Sequence, residues 1–349
     1  MVRNLIDLDD LSESELQSII RLAGKIKKDP AAYREKCRGN LMATLFYEPS
    51  TRTQMSFRAA MMRLGGNTLG FDNPVNSSVS KGEDLKDTIR VISNYVDIIV
   101  MRNPREGAAK AASLYSRVPV INAGDGGHLH PTQTLTDLTT LFYEKGRLDH
   151  LKIGLCGDIK NGRTTHSLAK AMSKYEGNEF VMISTPELSA PDYMIEILEK
   201  NNCAYTFCNS LEQGIKDLDV LYMTRIQKER FSDPAEYEKQ KGIYVLDEQK
   251  LSLAKNDLKI LHPLPRVDEI TAGVDDDSRA AYFDQAEYGM YARMALIMKM
   301  LEDCEKIMPK KVLSDTSEKC TNKNCITQTE SYLPAVRDEN GNCAYCDCK

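Results

Sequence analysis

Pro49-Ser50-Thr51-Arg52-Thr53 sets three hydroxyls and one guanidinium in an unbroken run. The apolar stretch Leu41 to Tyr47 reads as a strand leading into it. A helical pattern follows, with Met55, Ala59 and Met62 on one side and the pair Gly65-Gly66 at its end. The run therefore falls at a helix N-terminus, where unpaired backbone N–H groups and the positive end of the macrodipole attract anions. Hydroxyls alone would read as ordinary N-caps. With Arg52 among them, the expected ligand is a tetrahedral oxyanion, most simply a phosphate.

A second constellation is Gly124-Asp125-Gly126-Gly127-His128-Leu129-His130-Pro131-Thr132-Gln133. Pro131 suits the first helical position, which puts His130 at the cap and Gln133 in the first turn, both able to face a ligand held there. A lone histidine is usually structural, but the glycine-rich approach and the helix start favour a site. A neutral His130 at the positive end of a helix would polarise a carbonyl by hydrogen bonding. Arginines end two further strand patterns, Arg102 after Asp97 to Met101 and Arg225 after Val220 to Thr224. Gly157 to Thr164 nearly matches a phosphate-binding P-loop, but Arg163 stands where the loop needs lysine, and its planar fork suits a carboxylate better. In His262-Pro263-Leu264-Pro265-Arg266 the prolines hold a rigid turn with exposed carbonyls.

Cys320, Cys325, Cys343 and Cys346 form a CxxxxC…CxxC pattern after a polar linker near Met308 to Glu318, with Cys348 as a spare thiol. Such a segment is too small and polar to fold on an apolar core alone, so a tetrahedral Zn²⁺ is its natural staple, with disulfides or idle thiols as the alternatives.

The elements that must position these residues alternate. Leu11 to Lys28 reads as an amphipathic helix opened by Ser12 or Ser14. Strands are expected at Asn67 to Phe71, Asp97 to Arg102, Val118 to Ala123, Lys152 to Asp158, Phe180 to Ser184, Val220 to Thr224 and Leu258 to Leu261, with helices between them. Asn76 to Glu83 is a polar loop, and Asp275-Asp276-Asp277 reads as a solvated helix start. Asp284 to Asp303 reads as a long helix with Tyr288, Tyr291, Ala295 and Met298 on a core face, crossing back to the first domain. Alternation of this kind implies α/β architecture with parallel sheets, whose ligands gather at strand carboxyl ends. With 349 residues and 42% hydrophobic usage, two domains with a sizeable core are expected. A net charge of -5 argues against a general nucleic-acid binder. The acidic N-terminus and the lack of a spanning apolar run point to a cytoplasmic protein with no membrane partner.

Taken together, these residues resemble the carbamoyltransferase family, in its aspartate branch. Ser50-Thr51-Arg52-Thr53 matches the family's carbamoyl-phosphate motif, Arg102 its next phosphate-side arginine, and His130-Pro131-Thr132-Gln133 its HPTQ motif. Arg163, Arg225 and Gln227 match positions that bind the amino-acid carboxylates, and Leu264 and Pro265 the turn beside the substrate amine. The similarity runs in register from about Leu5 to Glu302. The ornithine branch differs in having a cysteine where Pro263 stands and in lacking the Thr-Arg-x-Gln run of Thr224 to Gln227.

The resemblance implies two doubly wound parallel-sheet domains joined by interdomain helices, plus a small C-terminal zinc-binding domain. It places a carbamoyl-phosphate-binding domain at 1–134, completed by a returning helix 284–305, an aspartate-binding domain at 135–283 and a zinc-binding tail at 306–349. It further implies transfer of a carbamoyl group from carbamoyl phosphate to L-aspartate in pyrimidine biosynthesis, without a cofactor for catalysis. Arg52, Thr53, Lys81, Arg102, His130 and Gln133 would be catalytic. Ser50, Thr51, Ser78 and Lys81 would join them on carbamoyl phosphate, and Lys81 with Arg163, Arg225, Gln227, Leu264 and Pro265 would hold aspartate. Ser78 and Lys81 would reach a neighbouring subunit's site in a homotrimer. The tail resembles the zinc domain of the family's regulatory chains. No space remains before Cys320 for such a chain's nucleotide-binding domain, so no CTP or ATP control is expected by that route.

Overall fold

A computed structural model describes residues 4–228, 231, 233–302 and 318–349. The inferred linker before Glu318 and the expected helix end at Asp303 therefore lie outside the described residues, as do 229 and 230. The chain divides into two compact units, Met1–Leu135 with Gly289–Lys349, and Thr136–Tyr288.

The first unit opens with helix α1 (Glu13–Lys28). Ser12 caps it in a capping box with Glu15, and Leu16, Ile19, Ile20, Ala23 and Ile26 form its buried face. Then come β1 (Leu41–Phe46), α2 (Thr51–Arg63), β2 (Asn67–Phe71), α3 (Leu85–Ile92), β3 (Ile98–Asn103), α4 (Ala108–Ser113), β4 (Val120–Asp125) and α5 (Pro131–Lys145). The four strands form one parallel sheet in the order β2-β1-β3-β4. Leu45, Ile99, Met101 and Val120 pack beneath α3 and the alanine face of α4.

The second unit continues with β5 (Lys152–Cys156), α6 (Arg163–Met172), β6 (Glu179–Ile183), α7 (Asp192–Lys200), β7 (Ala204–Cys208), α8 (Leu211–Gly214), β8 (Val220–Met223), α9 (Pro234–Gln240), α10 (Glu248–Leu251), β9 (Lys259–Leu261) and α11 (Tyr282–Glu302). Its sheet is parallel in the order β7-β6-β5-β8-β9. The last turns of α11, from Gly289, belong to the first unit. There Arg293 lies 5.1 Å over the Phe57 ring and donates to the Ser56 hydroxyl at 3.2 Å. Tyr288, Tyr291, Ala295 and Met298 are all buried, as a core stripe requires.

The Met55–Met62 side of α2 faces outward, each methionine 64% exposed, with Phe57, Ala60 and Met61 on the buried face. One reading is corrected. Asp275 to Asp277 do not start a helix. Asp275 accepts both guanidinium nitrogens of Arg266 and the Tyr282 hydroxyl, while Asp277 pairs with Arg279 at 2.7 Å, so these acids close turns ahead of α11.

Candidate active site

In the first sheet the chain departs from β1 to β2 on one side and finds β3 on the other, so the carboxyl ends of β1 and β3 flank a topological switch point. Both deliver candidate residues. Phe46 and Arg102 are direct neighbours across the pair, and Tyr47 N–H donates to the Arg102 carbonyl at 2.8 Å. Ser50 is the N-cap of α2, yet its side chain makes no capping bond, so the hydroxyl is not spent on the helix. Thr51, Arg52 and Thr53 form the first turn, Thr53 buried and the other two exposed.

Burial and then the neighbouring positive charge of Arg102 draw the Arg52 guanidinium below its ordinary value. Two like charges held together are costly, and an anion between them would relieve that cost. Arg102 is partly neutralised already, its Nε 2.8 Å from a Glu48 carboxylate oxygen, while its Nη1 donates to the Ala123 carbonyl at 3.4 Å. Glu48, two residues before the hydroxyl run and opposite in charge to its arginine, is a member of the site that motif reading missed.

Gly124 brings the third strand into the same place. Its φ of +122° is open to glycine only, and a Cβ there would lie 3.0 Å from Arg102 Nη1 and 3.6 Å from the His130 ring. Arg102 and His130 thus meet over one glycine. His130 is buried, its Nδ1 3.4 Å from the Thr132 hydroxyl, and its carbonyl accepts the Gln133 and Thr134 N–H groups as α5 begins. Ser78 and Lys81 lie apart in chain and setting, on an exposed 3-10 turn where Ser78 donates to Glu83 at 2.6 Å.

The turn carrying His130 is held by Asp125, fully buried at the end of β4. Its carboxylate accepts Gly107 N–H at 2.8 Å, Leu129 N–H at 2.9 Å and the Asn122 amide at 3.2 Å, and faces His128 Nδ1 at 3.1 Å. Burial opposes charge on His128, but the hydrogen bonds to Asp125 and Asp347 prevail and push its pKa up to about 10. His128 is therefore an imidazolium at neutral pH.

The second sheet repeats the logic. Its switch point lies between β5 and β8, the strands that precede Arg163 and Arg225. Gly157, at φ +112°, lets the exit of β5 lie against that of β8, since a Cβ there would sit 2.2 Å from the Thr224 carbonyl. Arg163 is the first residue of α6, and both arginines are half-buried. Buried Asp158 accepts the Asn161 backbone and amide at 3.0 Å and Gln227 N–H at 3.3 Å, while Gln227 Nε2 donates to the Asn161 carbonyl at 3.0 Å. The Gln227 amide therefore ties the two loops together here. His166 Nε2 donates to the Ile159 carbonyl at 2.5 Å and Nδ1 accepts from Tyr193 at 2.6 Å. Burial lowers its proton affinity, which keeps that ring neutral.

Leu264 sits on a braced turn. Its backbone φ is +52° and the bond to Pro265 is cis. Leu264 N–H donates to His262 Nδ1 at 2.8 Å, which leaves the proton on Nε2 to bind the Glu269 carboxylate at 2.7 Å. Glu269 also accepts Val267 and Asp268 N–H, and Gln285 accepts His262 N–H at 2.9 Å. Burial alone would raise the Glu269 carboxyl, but the His262 hydrogen bond and these N–H donors hold it below its ordinary value.

The four tail cysteines, all buried, place their sulfurs within 4.8 Å of one another. Cys320 and Cys346 sulfurs are 3.5 Å apart, and those of Cys325 and Cys343 3.8 Å. That is too far for a disulfide and close to the edge of a tetrahedron with metal–sulfur bonds of ~2.3 Å, about 3.8 Å. The donor set fits Zn²⁺. Glu106, Cys346 and Cys348 form a second group of the same breadth beside it.

Two family models match the chain. Residues 3–142 match the aspartate/ornithine carbamoyltransferase carbamoyl-P binding domain, and residues 149–300 the Asp/Orn binding domain. The aspartate carbamoyltransferase catalytic subunit of Clostridium novyi (strain NT) is 58% identical over 299 residues, which cover 86% of this chain and 98% of that protein. The catalytic subunit of M. jannaschii aspartate transcarbamoylase superimposes with a TM-score of 0.81 at 49% identity, covering 86% of this chain and 98% of that one. Aspartate transcarbamoylase from Trypanosoma cruzi, solved with carbamoyl phosphate and aspartate, gives 0.80 at 36% identity, covering 85% and 96%. Both family matches end before the cysteine-bearing tail.

Proposed function

The chain belongs to the aspartate/ornithine carbamoyltransferase family and transfers the carbamoyl group of carbamoyl phosphate to the amine of L-aspartate; we propose that it does so by direct attack, with no covalent intermediate on the protein. Phosphate is already a good leaving group, so the task left to the protein is to align two anionic reactants and stabilise the carbonyl oxygen as it gains charge. Arg52, Arg102 and the hydroxyls of Ser50, Thr51 and Thr53 take the phosphate. Thr53, Arg102 and His130 hydrogen-bond the carbonyl oxygen, and Gln133 orients the carbamoyl amide. Arg163 and Arg225 fork the two aspartate carboxylates with Gln227 beside them, and the Leu264 carbonyl with Pro265 directs the amine. Glu48 holds Arg102 until phosphate displaces it.

The observation that carries this reading is the convergence of Arg52, Arg102 and His130 at the switch point of the first sheet, around the glycine that leaves room for them. Arg225→Ala is expected to raise the aspartate KM far more than the carbamoyl phosphate KM, without moving the latter beyond about twofold. Equal effects on both would remove Arg225 from the aspartate site.

The exposed turn bearing Ser78 and Lys81 serves a neighbouring subunit in a homotrimer, a reading supported by the outward methionines Met55 and Met62 beside the phosphate turn. The tail holds one structural Zn²⁺ through Cys320, Cys325, Cys343 and Cys346, supported by their tetrahedral spacing. The metal supplies folding energy, not chemistry on the substrate. No helix among the described residues is long and apolar enough to cross a membrane, and the enzyme works in the cytoplasm, feeding pyrimidine synthesis.

A further inference from the structure

The tail is bonded to the two loops that leave β3 and β4. After β3, Glu106 N–H donates to the Asn324 carbonyl at 3.0 Å, its carbonyl accepts Ile326 N–H at 2.9 Å, and its carboxylate accepts the Asn322 amide at 2.6 Å. These partners bracket Cys325. Gly107, at φ +80°, admits the backbone of Tyr345, whose carbonyl would lie 2.5 Å from any Cβ there. After β4, His128 Nε2 meets Asp347 at 3.0 Å, between Cys346 and Cys348. Asp125 joins the two loops through Gly107 and His128, and Gly126 N–H donates to the Asn103 carbonyl at 2.9 Å.

Each anchored loop is a continuation of a substrate-facing residue. Arg102 lies four positions before Glu106, and His130 two after His128. The turn of Ser50–Thr53 is carried by α2. We propose that the cysteine tail is a positioning element for the phosphate half of the active site: Glu106 and His128, fixed by the metal-loaded tail, set where Arg102 and His130 stand. This rests on the reading of the four cysteines as a zinc site. Coupling between two sites is reciprocal in free energy. Loading the tail with zinc should therefore tighten phosphate binding, and phosphate should tighten zinc by the same factor.

The test uses the full-length chain, with bound zinc first quantified. Inorganic phosphate is titrated calorimetrically into loaded and chelator-stripped protein, and zinc affinity is measured by chelator competition with and without saturating phosphate. We expect phosphate affinity to fall about 5–150-fold on stripping, the usual span of such couplings, with the zinc constant shifting by an equal factor. Glu106→Ala and Asp347→Asn, the latter keeping a residue that tolerates the left-handed turn at φ +58°, should retain zinc, weaken phosphate, raise the carbamoyl phosphate KM and leave the aspartate KM in place. If the protein takes up no zinc, the metal reading fails and the coupling with it. If zinc binds but phosphate affinity is the same in every form, the metal reading stands and the coupling is wrong. Should the stripped protein unfold, the two zinc-retaining variants decide alone.

Discussion

Gly124 concentrates the proposed phosphate site into one position. A methyl group there would press on Arg102 at 3.0 Å, and the φ of +122° would force an L-residue into strained backbone, at about 1–3 kcal/mol. Gly124→Ala is expected to cut kcat/KM for carbamoyl phosphate by at least about tenfold while the aspartate KM holds; normal turnover in that variant would show that Arg102 and His130 need no such room. The residue types of this site were legible in the sequence, since hydroxyl, arginine and histidine runs advertise anion chemistry. Glu48, Asp125 and Asp158 were not. Their carboxylates act on other protein groups, and a solitary acid carries no spacing from which that role can be read.

At the level of elements, the braced turn from His262 to Glu269 makes a separate claim. His262→Ala would leave the buried Glu269 carboxylate without its ring partner and Leu264 N–H without an acceptor, a loss of roughly 1–3 kcal/mol for each unsatisfied group. We expect a lower Tm together with a raised aspartate KM; a variant with unchanged Tm would mean that the turn holds itself. The pH dependence has a definite sign. The Glu269 carboxyl titrates lower in the folded chain than its ordinary 4.5, so its contribution is present above that pH and is lost as the pH falls through the folded value. Glu269→Gln should therefore flatten the acid limb of a stability profile, which urea midpoints at stepped pH would reveal. Strands of the buried sheets were foreseeable from their apolar runs. β7 was not, because it is an edge strand with Phe207 turned to solvent. The outward Met55–Met62 stripe shows why, as periodicity marks a face without saying what covers it.

For the whole molecule, the shared-site reading makes a prediction that no single chain can satisfy. Arg52→Ala and Lys81→Ala proteins should each be nearly inactive, since losing one preorganised donor costs about 10²–10³ in turnover. Mixed under conditions that let subunits exchange, they should recover activity, because some sites then take an intact Arg52 from a Lys81→Ala chain and an intact Lys81 from a neighbouring Arg52→Ala chain. No recovery, with exchange verified by labelled subunits, would place Lys81 in its own chain's site. Such sharing was beyond reach of the residues themselves: it depends on surfaces meeting between chains, and the sequence records only which side chains are present.

The tail's attachment to α4 also bears on how the protein is made. Ile326, Leu333 and Tyr345 cover a helix face of Ala108, Ala111 and Ala112, and the Glu106–Asn322 bond closes over 216 positions. At ribosomal speeds of about 5–20 residues per second, roughly 10–40 s separate the emergence of the helix from that of its cover. During that interval the nascent N-terminal unit displays an oily patch that its own later sequence will hide, and a message cut short before the cysteines would release a polypeptide with that patch permanently bare.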